Sequence, residues 1–257
     1  MIHTRIADRY VLFAPLGSGG EARVFRARDE QNPGEVAVRL ALGPVASVSS
    51  AAPSVEHENW VHYIDSGIDP QHGAYQVFEL LEGKTLGEIV GSEPLSRDAW
   101  REFVDQSLAA VGALHHAEWI HADLNADNFL RTAAGWKLLE LPFYHFETPA
   151  ARSTMFGSIY TLAPEQIDGA KPDVRSDLYS LGCLYYYAAA GKWPHPGDTI
   201  QQIAIERLMH APPDLRQLAP ELPPAWADWT MKLLAVKPDG RFPSIATARQ
   251  LLADAVA

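Results

Sequence analysis

The spacing of hydrophobic and polar residues changes period once along the chain. From residue 9 to 40 it has the short repeat of strands: RYVLFAPLG is an apolar run ending in glycine, ARVFRARD alternates apolar and basic side chains, and EVAVRLAL alternates again after a turn at Asn32, Pro33 and Gly34. Connections this short predict an antiparallel meander. HENWVHYIDSG and GAYQVFELLEG read as two more strands around a turn at Asp69 to Gly73. Thr85, with Glu88 three residues on, predicts the first helix cap through a capping box. From about Ser96, itself a good N-cap, the period becomes 3.6: Trp100, Phe103, Val104, Leu108, Val111 and Leu114 fall on one face of a predicted long helix. His115 and His116 close that helix as a dipole partner and a core contact rather than as metal ligands.

Composition narrows the class. With 257 residues and 47% hydrophobic content, the chain can bury a substantial core as one large domain or two lobes. Its 32 acids against 21 bases give a formal net charge of -11, and no run of Lys or Arg gathers, so nucleic acid and anionic membrane are poor partners. Cys183, the single cysteine, excludes an internal disulfide and a cysteine-based metal site, reads as a small buried hydrophobe, and fits a reducing cytoplasm. The N-terminal MIHTRIADRY has no apolar core, and nowhere do 18 apolar residues run together, so neither a signal peptide nor a transmembrane helix is expected. A whole small protein and one domain of a longer chain both stay open.

Two stretches carry candidate chemistry. IHADLNADNFL, Ile120 to Leu130, crowds two aspartates, two asparagines and a histidine between apolar anchors. A carboxylate there can orient a hydroxyl, and an amide oxygen five residues later can hold a divalent cation beside a phosphate; an ordinary polar surface loop has the same composition. LGSGGEARV places Gly17, Gly19 and Gly20 between the first two strands, which suits either a phosphate cradle or a tight hairpin.

The order His121, Asp123, Asn128 resembles the catalytic loop of the protein kinase superfamily, His-Arg-Asp-Leu-x-x-x-x-Asn. LGSGGEARV resembles the family's Gly-x-Gly-x-x-Gly-x-Val loop, with Gly17, Gly19 and Val24 matching and Ala22 in the third glycine place. GSIYTLAPEQ keeps Ala163, Pro164 and Glu165 of the activation-segment end, DVRSDLYSLGCLYYYAAAGKWP resembles the central buried helix beginning at Asp177, and Arg241 in KPDGRFPS stands where an arginine pairs with that glutamate. The chain is identified as a member of the bacterial-type, eukaryotic-like Ser/Thr protein kinase domains, in degenerate form. The resemblance implies an α+β, two-lobed fold: a small antiparallel β-sheet lobe and hinge over residues 1–81, with a shortened or missing C helix, and a larger mainly helical lobe over 82–257. It implies Asp123 as the base, with Asn128 and Glu140 at the metal positions. Ala37, Arg39, Glu79 and Leu81 become nucleotide contacts beside Gly17, Gly19 and Val24, and Phe78 stands at the gatekeeper. A core phenylalanine followed by an interlobe linker accounts for Phe78 to Leu81 equally well. His121, Glu165, Asp177 and Arg241 are implied scaffold residues; Asp177 would cap its helix and bond the backbone of the catalytic loop. ATP with magnesium or manganese is the implied ligand set.

The departures from the family are selective. The family's Val-Ala-Ile-Lys is VAVR, so Arg39 replaces the phosphate-holding lysine, and the next 16 residues contain no acid to serve as its helix partner. Asp-Phe-Gly is Glu140, Leu141, Pro142, which excludes an unaltered metal site and leaves an altered one open. Ala122 replaces the arginine that would receive a phosphorylated activation segment, although Thr148, Ser153, Thr154, Ser158 and Thr161 are acceptor candidates there, and Asn125 replaces the lysine that would steady the transferred phosphate. Phosphoryl transfer depends mainly on electrostatic stabilisation, so these changes predict a pseudokinase that acts on a protein partner: an active kinase, a phosphatase or a phosphopeptide-binding protein. The alternative is a divergent Ser/Thr kinase using Asp123, Asn128 and Glu140, with Arg39 on the phosphates. Arg23, one residue from where a replacement cation would sit, is expected on the wrong strand face. A small-molecule kinase is a weaker reading, because HADL also resembles the His-Gly-Asp-Leu loop of antibiotic phosphotransferases while the intact Ala-Pro-Glu argues against it. Among seven tryptophans, Trp193 beside Pro194 and Pro196 is either an exposed contact or a buried aromatic.

Overall fold

A computed structural model describes residues 4–18, 22–42, 55–139, 144–145 and 159–255. Contacts group the chain into two units, one of Met1–Glu56 with Val61–Glu82 and one of His57–Trp60 with Gly83–Ala257. Gly19, Glu140 and the stretch at 43–54, where the resemblance shortens or removes a helix, lie outside the described residues.

The first unit is a six-stranded antiparallel sheet. Its strands are β1 (Thr4–Ile6), β2 (Tyr10–Ser18), β3 (Ala22–Asp29), β4 (Glu35–Ala41), β5 (Tyr63–Asp69) and β6 (Gly73–Glu79), in the order β1-β2-β3-β4-β6-β5. Ile6, Tyr10, Leu12, Ala27, Val36, Val38, Tyr75 and Val77 form its core, with Phe25 and Leu40 packed against them. Pro15, which cannot donate to a ladder, lies in an irregular stretch of β2, where the register with β3 shifts between Pro15 and Gly17. The short β1 was not legible as a strand. It is turned onto β2 through Ala7 and Asp8, both with left-handed φ near 50°, and the Ala7 N–H donates to Asp69 Oδ2 at 2.8 Å. Arg9 closes this end by donating two hydrogen bonds to Asp29, at 2.8 and 2.7 Å, and its guanidinium holds that carboxyl well below the usual range.

The second unit begins with β7 (Lys84–Thr85) and α1 (Leu86–Val90), where Thr85 and Glu88 do form a capping box. α2 (Arg97–His116), capped by Ser96, leads to β8 (Trp119–Ile120), β9 (Phe129–Thr132), β10 (Gly135–Leu138) and β11 (Tyr144–His145). β7, β9 and β10 form a small sheet, and β8 pairs with β11. Then come α3 (Pro164–Ile167), α4 (Val174–Ala190), α5 (Ile200–Met209), α6 (Leu215–Leu218), α7 (Pro224–Leu233) and α8 (Ile245–Asp254). α4 is apolar almost all round and buried along most of its length, as a helix at the centre of a bundle must be. Gly182 lets it approach α7 closely, since a Cβ there would stand 2.6 Å from Leu233 Cβ.

Two readings of element boundaries need correction. HENWVHYIDSG is not one strand: β5 starts at Tyr63, while His57–Trp60 belongs to the second unit. The cause is Trp60, whose buried indole N–H needs an acceptor and donates to Ala110 O on α2 at 2.9 Å, while Asn59 O accepts from Leu138 N at 2.8 Å. The central helix begins at Val174 rather than Asp177. Asp173 is its N-cap, accepting from Arg175 N at 2.7 Å, because Asp177 already has its oxygens committed elsewhere.

Candidate active site

In the first unit, strand register places Gly17, Val24, Ala37 and Arg39 of the nucleotide reading on one face, while Glu79, opposite the core residue Val36, falls on the other. Val24 lies opposite Gly17 on β2 and Arg39 on β4, and Arg39 lies opposite Gln76 on β6. Directly opposed residues share a face, and Ala37, opposite Phe78, joins the same face two positions along. The core residues Phe25, Val38 and Val77 occupy the intervening positions. Arg23 alternates with Val24, so it falls on the Phe25 side, away from Arg39. Arg39 is half-buried, and its Nη1 donates to Gln76 Oε1 at 3.2 Å. Gly17 has no left-handed φ, and a Cβ on it would meet nothing within 4 Å, so the fold itself does not require glycine there. Glu79 Oε1 accepts from His62 N at 2.8 Å, and Leu81 is half-buried.

In the second unit, residues 121–128 span the gap between β8 and β9 as a loop that hydrogen-bonds to itself. Asn125 Oδ1 accepts from Asp127 N at 2.9 Å, Asn125 Nδ2 donates to Asp123 O at 3.3 Å, and Asn125 N donates to Asn128 Oδ1 at 3.0 Å. This is an Asx-type arrangement, in which short amide side chains replace missing ladder bonds. Asn128 is buried, and its carbonyl accepts from Leu139 N at 2.8 Å. Asp123 N donates to His121 Nδ1 at 3.3 Å.

Behind the loop stands Asp177, with no exposed side-chain surface. Its Oδ1 accepts from Ala122 N at 2.8 Å, its Oδ2 from His121 N at 2.9 Å, and His115 Nε2 shares a hydrogen bond with Oδ2 at 2.8 Å. A buried carboxylate persists only when its oxygens are met in this way. Ala122, between these anchors, has a left-handed φ of 61°. Farther along, Glu165 and Arg241 form a fork, Nη1 to Oε1 and Nη2 to Oε2, each at 2.8 Å, and Ser176 Oγ donates to Glu165 Oε1 at 2.7 Å. Burial by itself would raise the Glu165 carboxyl; the hydrogen bond and charge of Arg241 outweigh it, and the group lies below its ordinary value.

A model of the protein kinase domain matches residues 10–255 of the chain. The chain belongs to the protein kinase family. It is similar to the serine/threonine-protein kinase PrkC of Bacillus subtilis, 27% identical over 271 residues that cover 99% of this chain and 41% of that protein. The DNA damage-responsive serine/threonine-protein kinase RqkA of Deinococcus radiodurans is 31% identical over 97% of this chain and 40% of its own length. For the serine/threonine-protein kinase PknB of Mycobacterium tuberculosis the figures are 28%, 98% and 43%. The chain thus spans about two fifths of these relatives. The crystal structure of the Mycobacterium tuberculosis PknI kinase domain superposes with a TM-score of 0.75 at 18% identity, covering 99% of this chain and 98% of that one, which shows the protein kinase fold: an antiparallel sheet lobe and a helical lobe.

Within this kinase domain the structure brings His121, Asp123, Asn125, Asn128 and Asp177 together in one hydrogen-bonded region, and Glu165 with Arg241 in another. Asp177 does not cap α4; it stands one turn inside the helix. Of the acceptor candidates, Thr161 is buried, while Thr148, Ser153, Thr154 and Ser158 lie outside the described residues. Trp193 is neither freely exposed nor a core residue. It is half-buried and stacks between Tyr187, with centroids 4.1 Å apart, and Tyr160, 5.1 Å apart. Sequence reasoning missed Gln166, whose Nε2 donates to Ala122 O at 3.0 Å, and no local spacing signals a bond across 44 residues. Among the described residues no helix is long and apolar enough to cross a membrane.

Proposed function

We propose that this kinase domain is a pseudokinase, a module with weak or absent phosphotransfer that regulates or scaffolds a partner protein. The observation that carries the proposal is Asn125. At the place where the family resemblance implies a lysine, it puts an uncharged amide whose oxygen accepts from Asp127 N and whose nitrogen donates to Asp123 O. These bonds hold the side chain to the loop, and the N–H that Nδ2 has left is uncharged, so Asn125 cannot supply the positive charge that would steady a transferred phosphate. Removing one preorganised electrostatic contact from a transition state lowers turnover by about 10²–10³-fold. Arg39, already bonded to Gln76, adds a second departure among the residues that would hold phosphates.

Protein kinases as a family use ATP with a divalent metal. The first-unit face of Gly17, Val24, Ala37 and Phe78 suits the apolar body of a nucleotide; of the two positions the resemblance implies for a metal, Asn128 is the one among the described residues, and its Oδ1 accepts from Asn125 N. The partner in this proposal is an active kinase, a phosphatase or a phosphopeptide-binding protein, in the cytoplasm. The intact Ala163, Pro164 and Glu165, with Glu165 clasped by Arg241, support a protein-facing role over a small-molecule one. The second reading, a divergent Ser/Thr kinase, is favoured by the retained positions of Asp123 and Asn128 within one ordered loop.

The deciding experiment is the thermal shift of the purified domain with ATP, alone and with magnesium or manganese. No shift under any condition supports the interaction role. A shift that requires metal, followed by phosphotransfer that disappears in Asp123→Asn, overturns the proposal in favour of the divergent kinase.

A further inference from the structure

Residues 161–163 are held by three different helices through three successive backbone groups. Ser180 Oγ on α4 donates to Thr161 O at 2.9 Å, Arg207 Nη1 on α5 donates to Leu162 O at 2.5 Å, and Ala163 N donates to Gln166 Oε1 on α3 at 3.1 Å. The other end of the same Gln166 amide leaves this segment: Nε2 donates to Ala122 O in the loop of Asp123 and Asn128, at 3.0 Å. Ala122 is therefore gripped on both sides, by Asp177 Oδ1 on its N–H and by Gln166 on its carbonyl, while its φ stays at 61°. A residue with a Cβ keeps that conformation only where its surroundings over-determine it. The Ala122 methyl group can bind no anion, so nothing at this position waits for a phosphate.

We infer that Gln166 is a positioning residue, a permanent uncharged clasp that locks the Asp123 loop to the Thr161–Glu165 segment independently of phosphorylation. A primary amide suits this task because it carries a donor and an acceptor on one planar group, one for each segment. Glutamate at the position could still accept from Ala163 N but could not donate to Ala122 O at neutral pH, and methionine could do neither. Whether Asp123 performs chemistry does not enter the inference, which therefore stands apart from the pseudokinase proposal.

Hydrogen exchange by mass spectrometry on the whole chain separates the two halves of the clasp. In Gln166→Glu the amides of residues 121–123 are expected to exchange about fivefold faster, the size of one neutral hydrogen bond, while Ala163 keeps its protection. In Gln166→Met both regions accelerate. Unchanged exchange at 121–123 in Gln166→Glu overturns the inference, and so does a uniform acceleration that includes Val104–Val111 of α2, since that reports loosening of the whole unit. Phosphorylation of Thr148, Ser153, Thr154 or Ser158 by a coexpressed Ser/Thr kinase is expected to leave 121–123 unchanged; added protection there overturns the claim of independence.

Discussion

Removing the carboxylate from Glu165 is expected to be among the most damaging single changes in the second unit. Arg241 has no exposed side-chain surface, and its guanidinium donates to Glu165 twice, to Ala235 O, to Arg175 O and to Val236 O, with its carbon 4.7 Å from the centre of the Tyr179 ring. Glu165→Ala leaves that charge buried with backbone carbonyls and one ring face but no carboxylate bonded to it, with Asp173 nearby and already held by Arg175. Stripping one member from a buried pair costs about 3–5 kcal/mol, against a total stability of about 5–15 kcal/mol for a domain. With a urea slope of about 2 kcal/mol per molar, the midpoint should fall by roughly 2 M, as followed by tryptophan fluorescence. Replacing both partners together, Glu165→Leu with Arg241→Met, should recover part of the loss, because no unpaired charge remains. The pair also predicts a pH window. The folded carboxyl lies below its ordinary value of 4.5, so its contribution is complete above that pH and is lost as pH falls through the folded-state value. Glu165→Gln should flatten that acid limb. A loss below about 1 kcal/mol in Glu165→Ala, typical of an exposed pair, would refute the reasoning.

Two further outcomes follow from packing and burial. Gly182→Ala should destabilise by about 1–3 kcal/mol, because its Cβ would press on Leu233 where α4 meets α7; Gly17→Ala, with open space around it, should change stability by less than about 0.5 kcal/mol, and equal melting temperatures for the two variants would contradict this. His195 is buried, and burial, then the charges of Arg207 and His210, push its ring from 6.5 down to about 4. The unfolded ring takes a proton that the folded ring refuses, so stability drops as pH falls from 6.5 to 4, and His195→Leu should flatten melting temperature across that window; an unchanged slope would remove His195 as the cause.

Much of this domain was readable from local pattern. The alternation in EVAVRLAL and the turn at Asn32 to Gly34 follow from side-chain period and turn chemistry, and the structure places β4 and its neighbours there. Ser96 and Thr85 start helices because their hydroxyls accept from the first-turn N–H groups. The loop of Asp123, Asn125 and Asn128 was legible as a motif, since its residue types and spacing are local. Less legible was what each side chain would do. The resemblance implied that Asp177 both caps its helix and bonds the backbone of the catalytic loop; its bonds to the N–H groups of His121 and Ala122 are there, more than 50 residues away, while the cap of α4 is Asp173. Trp60 looked like part of a strand until its indole found Ala110 O.

The sequence by itself determined the family, the change from a strand-rich first part to a helical second part, and which positions of the motifs depart from the family pattern, because those properties reside in residue identity and short spacing. Only the tertiary structure decided that Asn125 is folded into its own loop, that Trp60 joins the second unit through Ala110 O, and that Gln166 reaches Ala122. Those outcomes depend on which distant donor and acceptor meet once the chain is packed, and a buried polar group takes the partner that packing supplies, not the one nearest in sequence.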